Sequence, residues 1–596
     1  MYITFHFAHL TESATLRMVI THLHKFLTTS TAKASKSQII FWLTLSLTFA
    51  LIYSFLGLKQ AFSSSYVVQD DARVYVFWMQ RFVDSGLFPN DFIADYFQSV
   101  TPSGYATFYR LIASLGIEPL GLSKILPVFL TLLTTAYCFA VCMEIFPVPT
   151  AGFISTLLLN QNLSMRDDLV SSTPRSFIFL FFLAFLYYLL RRSLFLCLGA
   201  IALSGFFYPP LLFILAGILI LRLWRWDGQQ LRLSKNQLDY RFGAAGLGLC
   251  LLVLLPYALK SSEFGPAIAG MELRSLPAFS QIGRIPFFDN NNPLWFWLFG
   301  QHSGLLPNVF EHPLSLMGLL LPILMRYPHK FPLIKQVAST VIILPQIALA
   351  SFGIFVAAHA MLYKLFAPAR YTRYSFKLVM ILSAGIVLIA LLDAVFRWAK
   401  QQDKLLIRRQ FVALGLTTLI GAILAFYPHL LEKFPNSNYI VGNTPALYDF
   451  FREQPKDILI ASLSDEVDNL PTFSKRPILV GWEYANPYHV NYERQIRQRA
   501  TDLIHAQYTQ NLAEVQNFIQ TYDIDFFLLE RTAFTPKYIT TNPWFRQWQP
   551  LAKEILGMLD RGSIPAMSGL MQRCSAFETE ELVVLEAKCM IKTTLD

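Results

Sequence analysis

The sequence has few charged residues for its length. Of its 596 residues, 15% are Asp, Glu, Lys or Arg, whereas 54% are hydrophobic, and the mean hydropathy is +0.42. A chain this apolar is not an array of ordinary soluble domains. The composition is typical of a polytopic α-helical membrane protein, whose apolar spans are buried in lipid or in one another.

Cysteine is also scarce, with six residues in the whole chain. Cys574 and Cys589 lie near the C-terminal end, where a disulfide is chemically allowed if that region is exterior, but their spacing gives no geometry, so paired and free states both stay open. The other four lie in apolar spans without His nearby and are predicted to pack as small hydrophobic side chains: Cys138, Cys142, Cys197 and Cys250.

The formal net charge of +10 does not indicate nucleic-acid binding. Most Lys and Arg residues stand in short segments between apolar spans, which is where cytoplasmic loops of membrane proteins carry them. Residues 1–37 contain Arg17 and Lys25 but no short apolar core followed by a small-residue cleavage site. We therefore expect a cytoplasmic N-terminal tail rather than a removable signal peptide.

Residues 38–431 are predicted to form a multi-pass domain of about eleven transmembrane helices. The alternation of basic and acidic loops places the N-terminus in the cytoplasm and makes loops 58–121 and 260–307 exterior. Tyr208-Pro209-Pro210 interrupts one long apolar run, so that run is predicted as two short helices meeting at an outer tip. The spans are 38–57, 122–144, 149–163, 175–190, two within 194–222, 242–257, 313–325, 337–363, 375–396 and 411–427.

Residues 432–596 are less hydrophobic and are predicted to form an exterior, periplasmic α/β domain. Four short apolar runs are typical of buried strands, and the segment from Asp502 to Tyr522 is typical of a helix between two of them. The four runs are ILIASL, RPILVGW, DIDFFLLE and LVVL.

Two carboxylates follow the first span closely. Asp70 and Asp71 open a run that places Val74, Phe77 and Trp78 on one helical face, which predicts a helix lying on the membrane surface with acids at its start. Acids at this position also stabilise a helix N-terminus without any catalytic role. Both interpretations fit the local sequence.

Acids and arginines recur where other spans reach the predicted exterior face. Asp167 and Asp168 stand just outside the third span, Arg175 opens the fourth, and Arg370 opens the tenth in APARYTRY. A carboxylate can deprotonate a hydroxyl or hold a divalent cation, and arginine can bind phosphate through two hydrogen bonds. These residue types together predict a site that transfers a group from a phosphorylated lipid.

With these motifs the chain resembles the membrane glycosyltransferases of the GT-C fold, which include protein mannosyltransferases, lipid A aminoarabinose transferases and the catalytic oligosaccharyltransferase subunit. The matching motifs are Asp70-Asp71, Arg166-Asp167-Asp168 and Arg370-Tyr371, and the region from Asn469 is similar to the exterior domain of some bacterial members. The resemblance implies inverting transfer of a hexosyl or pentosyl group from a polyprenyl-phosphate-linked donor at the exterior face of the inner cell membrane.

The resemblance also implies roles for residues. Asp70 or Asp71 would be the general base, Asp167 or Asp168 would assist or hold a metal, and the donor phosphate would lie on Arg370 with Arg175. The second loop lacks DxD spacing, so no cofactor is certain, although a divalent cation is allowed. The expected partners are the lipid-linked donor and membrane lipid, with no nucleic acid. Protein, lipid and polysaccharide all stay open as acceptor.

The main alternative is a transporter or flippase of a lipid-linked saccharide, because transporters also use broken helices. Against it, few ionisable residues lie within the spans, His359 and Asp393 being the clearest, and the two halves show no hydropathy symmetry. A noncatalytic scaffold would leave the exterior acids without a function.

Overall fold

The computed structural model describes residues 2–227, 230–270, 272–309, 311–402 and 405–593. Its N-terminal two thirds are predominantly helical. The helices of this part are α1 Tyr2–Thr28, α2 Lys36–Ala61, α3 Asp70–Tyr75, α4 Phe92–Val100, α5 Ser103–Ser114, α6 Pro119–Ile145, α7 Pro149–Ser164, α8 Ile178–Leu190, α9 Leu194–Phe207, α10 Leu211–Arg222, α11 Gln237–Leu259, α12 Glu272–Ser275, α13 Pro293–Leu298, α14 Leu321–Arg326, α15 Ile343–Ala360, α16 Arg370–Ala399 and α17 Leu406–Phe426.

Helix forms in each predicted span, but the helices differ in length. Within the described residues, six are long and apolar enough to cross a membrane by length and composition: Lys36–Ala61, Pro119–Ile145, Gln237–Leu259, Ser339–Ala360, Arg370–Ala399 and Leu406–Leu430. Four further apolar helices are shorter: Pro174–Leu190, Leu194–Phe207, Leu211–Arg222 and Pro313–Arg326. The helical membrane domain is therefore supported, and the number of eleven passes stays a prediction.

The predicted break at Tyr208-Pro209-Pro210 is present between α9 and α10. The two prolines have no N–H to continue the helical hydrogen bonding, so the chain turns there and returns as α10. Helix α16 lies at the centre of the helical domain and is buried on almost every side. It approaches α7 closely at Gly385, where an added Cβ would lie 2.8 Å from the carbonyl oxygen of Ala151.

Loop 58–121, which is predicted to be exterior, is folded into the protein rather than laid on a membrane. Strand β1 (Val67–Gln69) pairs antiparallel with β4 (Tyr439–Val441), and the chain then forms α3 and a 3₁₀ helix at Phe77–Phe82. Phe77 is buried with its ring edge-on to Tyr484, 5.2 Å between centroids. The predicted surface helix is therefore wrong, because the C-terminal domain covers the apolar face that we assigned to lipid.

The remaining elements are mainly those of the C-terminal domain. The helices are α18 Pro445–Glu453, α19 Leu470–Phe473, α20 Val490–Tyr508, α21 Leu512–Tyr522, α22 Pro536–Thr541, α23 Pro543–Gln547, α24 Gln549–Asp560, α25 Ala566–Leu570 and α26 Ala587–Lys592. The strands are β5 Ile460–Ala461, β6 Phe526–Glu530, β7 Ser575–Glu578 and β8 Leu582–Glu586, and a separate hairpin joins β2 Trp224–Asp227 to β3 Gln230–Leu233.

The C-terminal sheet has the order β5-β6-β8-β7, with β5 and β6 parallel and the other pairs antiparallel. Three of the four predicted strands are present. The fourth, RPILVGW, makes one bridge from Ile478 to Ile460 and then turns, so its apolar side chains are buried without a regular strand. A disulfide joins Cys574 to Cys589 beside β8.

Loop 260–307, the second loop that is predicted to be exterior, connects the C-terminal domain to the helical domain. Ala267 bridges to His489, and Arg284 donates to the carbonyl oxygen of Trp482 at 2.9 Å and pairs with the Glu483 carboxylate. Phe279 in the same loop packs on Tyr363, which follows α15. Loop 260–307 therefore packs against both the C-terminal domain and the end of α15, and the three enclose a shared cavity.

Candidate active site

A cavity of about 380 Å³ lies where α3, the α9–α10 break and the start of α16 meet residues 486–489. Three charged side chains, Asp71, Arg175 and Arg370, form one part of its wall, and most of the remainder is aromatic or apolar. The other lining residues are Tyr75, Tyr96, Phe97, Val100, Pro102, Thr173, Pro174, Tyr208, Pro209, Pro210, Tyr257, Ala267, Tyr363, Phe366, Asn486, Tyr488 and His489.

Asp71 faces the cavity because of the way β1 ends. The side-chain oxygen of Gln69 accepts hydrogen bonds from the backbone N–H groups of Asp71 and Ala72, at 2.9 and 3.1 Å, and so caps α3. Successive residues on a helix point about 100° apart. Asp70 is consequently directed to Arg73, with Oδ1 2.7 Å from Nη2, and does not line the cavity.

Arg175 joins the first acidic motif to the second. Its Nη2 contacts Oδ2 of Asp71 and lies 3.1 Å from Oδ2 of Asp167. Asn438 also donates to Oδ2 of Asp167, at 3.2 Å, and its carbonyl oxygen accepts the N–H of Asp70 at 3.1 Å. Asn438, just before β4, thus contacts both acidic motifs and fixes their relative positions.

Asp168 does not line the cavity and is paired with Arg373 instead. Its carboxylate is completely buried and lies 2.9 Å from Nη2 of Arg373 on α16. Although burial by itself raises the pKa of Asp168, Arg373 and then Arg175 hold that pKa well below its usual range. Of the two adjacent acids, only Asp167 contacts a residue of the cavity wall.

Arg370 is the first residue of α16 and presents an uncompensated positive charge. Its Nη1 donates to the Tyr374 hydroxyl at 2.9 Å. In the part of the chain that the structure describes, no carboxylate lies within ion-pair distance of Arg370, and its buried Nε has no hydrogen-bond partner. A guanidinium in this state can bind an anion such as a phosphate through its free N–H groups.

The electrostatics of Asp71 favour proton acceptance. Burial raises the pKa of Asp71; Arg175 opposes that rise, and the neighbouring carboxylates of Asp167 and Asp70 add to it. A carboxylate whose pKa is raised is a stronger base, when ionised, than a carboxylate with an ordinary pKa. Asp71 can therefore take a proton from a nucleophile bound in the cavity.

The acid pair does not fit a dedicated divalent-cation site. Mg²⁺ and similar hard cations require about six oxygen ligands, several of them from carboxylates or substrate. Over the described ranges, no group of three or more His, Cys, Asp or Glu side chains is arranged to hold a metal. Asp71 and Asp167 instead share Arg175, whose guanidinium occupies the position between them.

A second polar cluster lies behind Asp70, between α3 and the C-terminal domain. Arg73 bonds to Asp70 and, through Nη1, to Oδ1 of Asn469 at 2.8 Å. Asp468 is buried beside it. One carboxylate oxygen accepts the N–H of Glu483 at 3.2 Å, and the other has no hydrogen-bond partner among the described residues. Burial raises the pKa of Asp468 to about 8 despite the nearby Arg73.

Sequence reasoning missed the residues that position the acids and complete the cavity. Gln69 and Asn438 are single polar residues in ordinary contexts, and no local pattern distinguishes them. Tyr488 and His489 lie in a Tyr-rich stretch, YANPYHVNY, whose aromatic content was the one available signal.

No family model and no curated protein matches this sequence. Among solved structures, it is similar to the Archaeoglobus fulgidus oligosaccharyltransferase tethered with an acceptor peptide containing the NVT sequon, with a TM-score of 0.54 and 13% identity over 87% of this chain and 72% of that one. The apo form of the same oligosaccharyltransferase gives a TM-score of 0.51 and 12% identity with the same coverage. The chain therefore has the fold of this oligosaccharyltransferase, which confirms the predicted GT-C architecture.

Proposed function

We propose that this protein transfers a hexosyl or pentosyl group from a polyprenyl-phosphate-linked donor to an acceptor at the exterior face of the cell membrane. One observation carries the proposal: the Arg370 guanidinium, which pairs with no carboxylate among the described residues, and the Asp71 carboxylate line the same, otherwise largely apolar cavity. Such a cavity suits a ligand with an anionic head, a sugar and an apolar chain. The fold similarity supports the same reaction class.

The donor phosphate is proposed to bind Arg370, with its polyprenyl chain along the apolar wall near Phe366 and Pro210. The acceptor nucleophile then attacks the anomeric carbon from the side opposite to the phosphate, while Asp71 takes its proton. The bond between the anomeric carbon and the phosphate oxygen breaks, and its electron pair leaves with the phosphate. One displacement of this kind inverts the anomeric configuration.

Arg175 is proposed to act through Asp71 rather than on the donor phosphate. The sequence interpretation gave Arg175 and Arg370 a common role, but Arg175 is engaged by two carboxylates and Arg370 by none within the described residues. The two carboxylates offset the Arg175 charge and so weaken its attraction for a phosphate. Arg370 is therefore the better candidate for the donor.

A peptide is the acceptor that we propose, because the archaeal oligosaccharyltransferase of similar fold was crystallised with a tethered acceptor peptide. The cavity wall at Asn486, Tyr488 and His489 belongs to the C-terminal domain, so that domain can contribute to acceptor binding. We place the domain outside the cytoplasm, in agreement with the loop charges and with the disulfide at Cys574–Cys589.

The transporter or flippase alternative is less well supported. A transporter concentrates its polar groups near the middle of the membrane. Here Asp71, Arg175 and Arg370 all lie at helix ends that the loop charges predict to be exterior, and the break at Pro209-Pro210 forms part of the same cavity.

The test is sugar transfer by purified protein supplied with lipid-linked saccharides from the native membrane and a library of peptides. Mass spectrometry would follow the loss of donor lipid, the release of polyprenyl phosphate or diphosphate, and the mass added to peptide. We expect transfer by wild type and by Asp95→Asn, an exposed acid of the same loop paired with Arg81, and none by Asp71→Asn. Donor lipid that stays intact in all three would refute the proposal.

A further inference from the structure

We propose that Arg175 is a built-in cation that takes the place of a divalent metal between Asp71 and Asp167. The inference deepens the proposed function, since it would make transfer at this site independent of divalent ions. It has a separate structural consequence: removing the Arg175 charge should turn the acid pair into a site that binds Mn²⁺.

The contact geometry supports this substitution. A single guanidinium nitrogen meets one oxygen of Asp71 and one oxygen of Asp167, the latter at 3.1 Å. Two carboxylates from different loops therefore converge on one positive centre, as they would on a bound cation. Both acids keep partial solvent access, so a hydrated ion could reach them if the arginine were absent.

Arg175 is fixed in place by the local fold. It follows Pro174, whose ring restricts the backbone, and both residues belong to the 3₁₀ helix Pro174–Phe177. Its Nε approaches the buried hydroxyl of Ser171 at 3.4 Å. The guanidinium is thus held both at Nε and by the two acids. A side chain fixed in this way is not expected to move aside and admit a metal.

The charges around Asp71 and Asp167 also disfavour a divalent ion while Arg175 is present. Asp71 and Asp167 contribute two negative charges, and Arg175 with the nearby Arg370 contributes two positive charges. A divalent ion placed between the acids would add further positive charge beside a fixed guanidinium, which opposes its binding. Loss of Arg175 would remove that repulsion and leave two converging carboxylates, which favour hard divalent cations.

The experiment is Mn²⁺ binding to purified, metal-stripped protein, measured by electron paramagnetic resonance. We expect no stoichiometric binding by wild type or Arg175→Lys, and one bound ion per chain in Arg175→Ala. Adding Asp71→Asn to Arg175→Ala should abolish that binding. Arg175→Gln, which keeps more of the side-chain volume, replaces Arg175→Ala if the alanine variant does not fold.

Two outcomes would overturn the inference. One is stoichiometric Mn²⁺ binding by wild type that Asp71→Asn removes, because the metal would then coexist with Arg175. The other is a folded Arg175→Ala or Arg175→Gln protein that binds no Mn²⁺. Mn²⁺ binding is measured without turnover. A wild-type protein that transfers no sugar would therefore refute the proposed function, whereas the Mn²⁺ measurements would still test the role of Arg175.

Discussion

Asp168 and Arg373 form a buried ion pair, with 2.9 Å between Oδ1 and Nη2 and side-chain exposures of 0% and 3%. The pair joins the chain after α7 to the first turn of α16. Asp167 precedes one partner directly, and Arg370 lies one helical turn before the other. The ion pair therefore fixes the acidic part of the cavity relative to the proposed phosphate-binding arginine.

Asp168→Ala should destabilise the protein strongly, because it leaves the Arg373 charge buried without its partner. Losing one member of a buried pair costs roughly 3–5 kcal/mol, and the midpoint of denaturant unfolding in detergent measures it. Asp95→Ala is the control: its exposed pair with Arg81 should contribute about 0–1 kcal/mol. Equal midpoints for the two variants would contradict a structural role for Asp168.

Arg370→Lys should impair donor use nearly as much as Arg370→Ala. An ammonium replaces the planar fork by a single charged point and cannot form the paired hydrogen bonds to phosphate. Initial transfer rates across donor concentrations measure the effect. Arg166→Lys is the matched control, since Arg166 pairs with Glu311 and does not line the cavity. Wild-type kinetics in Arg370→Lys would show that Arg370 does not bind phosphate bidentately.

The helical domain was predictable from the sequence because the apolar runs, long or short, are bounded by charged or proline residues. Loop charges placed Asp71, Arg175 and Arg370 at one predicted face, and their residue types with the GT-C resemblance predicted a common site; all three line one cavity. The different roles of neighbouring acids did not follow from the sequence, because Asp70 and Asp71, or Asp167 and Asp168, are distinguished by their contacts. Arg73 provides such a contact from within α3, whereas Asn438 and Arg373 provide theirs from segments distant in the sequence.

Asp71→Asn should lower the transfer rate by at least about a hundredfold while leaving folding intact, because the amide cannot accept the proton. The raised pKa of Asp71 adds a pH test. A general base must be ionised, so the wild-type rate should fall as pH decreases through a pKa above the usual 3.8. Residual activity of Asp71→Asn should lack that acid limb. An unchanged acid limb in the variant would assign the titration to another group.

The topology can be tested with single cysteines on exposed positions. Cysteines at Ser63 and Ser261 should react with an impermeant thiol reagent in cells whose outer barrier is opened, because both lie in predicted exterior loops. Cysteines at Lys330 and Gln402 should react only after the membrane is dissolved. The four free native cysteines are buried and should give little background. Labelling of all four positions in cells whose outer barrier alone is opened would overturn the predicted orientation.

Asp468→Asn should change how stability depends on pH. The pKa of Asp468 is raised from 3.8 to about 8 in the folded protein, so between these values the folded state binds more protons at this site than the unfolded state. The free energy of unfolding should therefore fall as pH rises through this interval, by at most about 1.4 kcal/mol per pH unit from this group. Asparagine can still accept the N–H of Glu483 but does not titrate.

The measurement is denaturant unfolding of wild type and Asp468→Asn from about pH 5 to about pH 8. We expect the variant to gain stability relative to wild type steadily as pH increases, because Asp468 of wild type ionises in the unfolded state but stays protonated in the folded state. Arg73 opposes this most, and the backbone N–H of Glu483 and the Arg284 charge act in the same direction, because each stabilises the ionised carboxylate. Parallel profiles would mean that Arg73 keeps Asp468 ionised throughout, and that the two residues form a buried ion pair between α3 and the C-terminal domain.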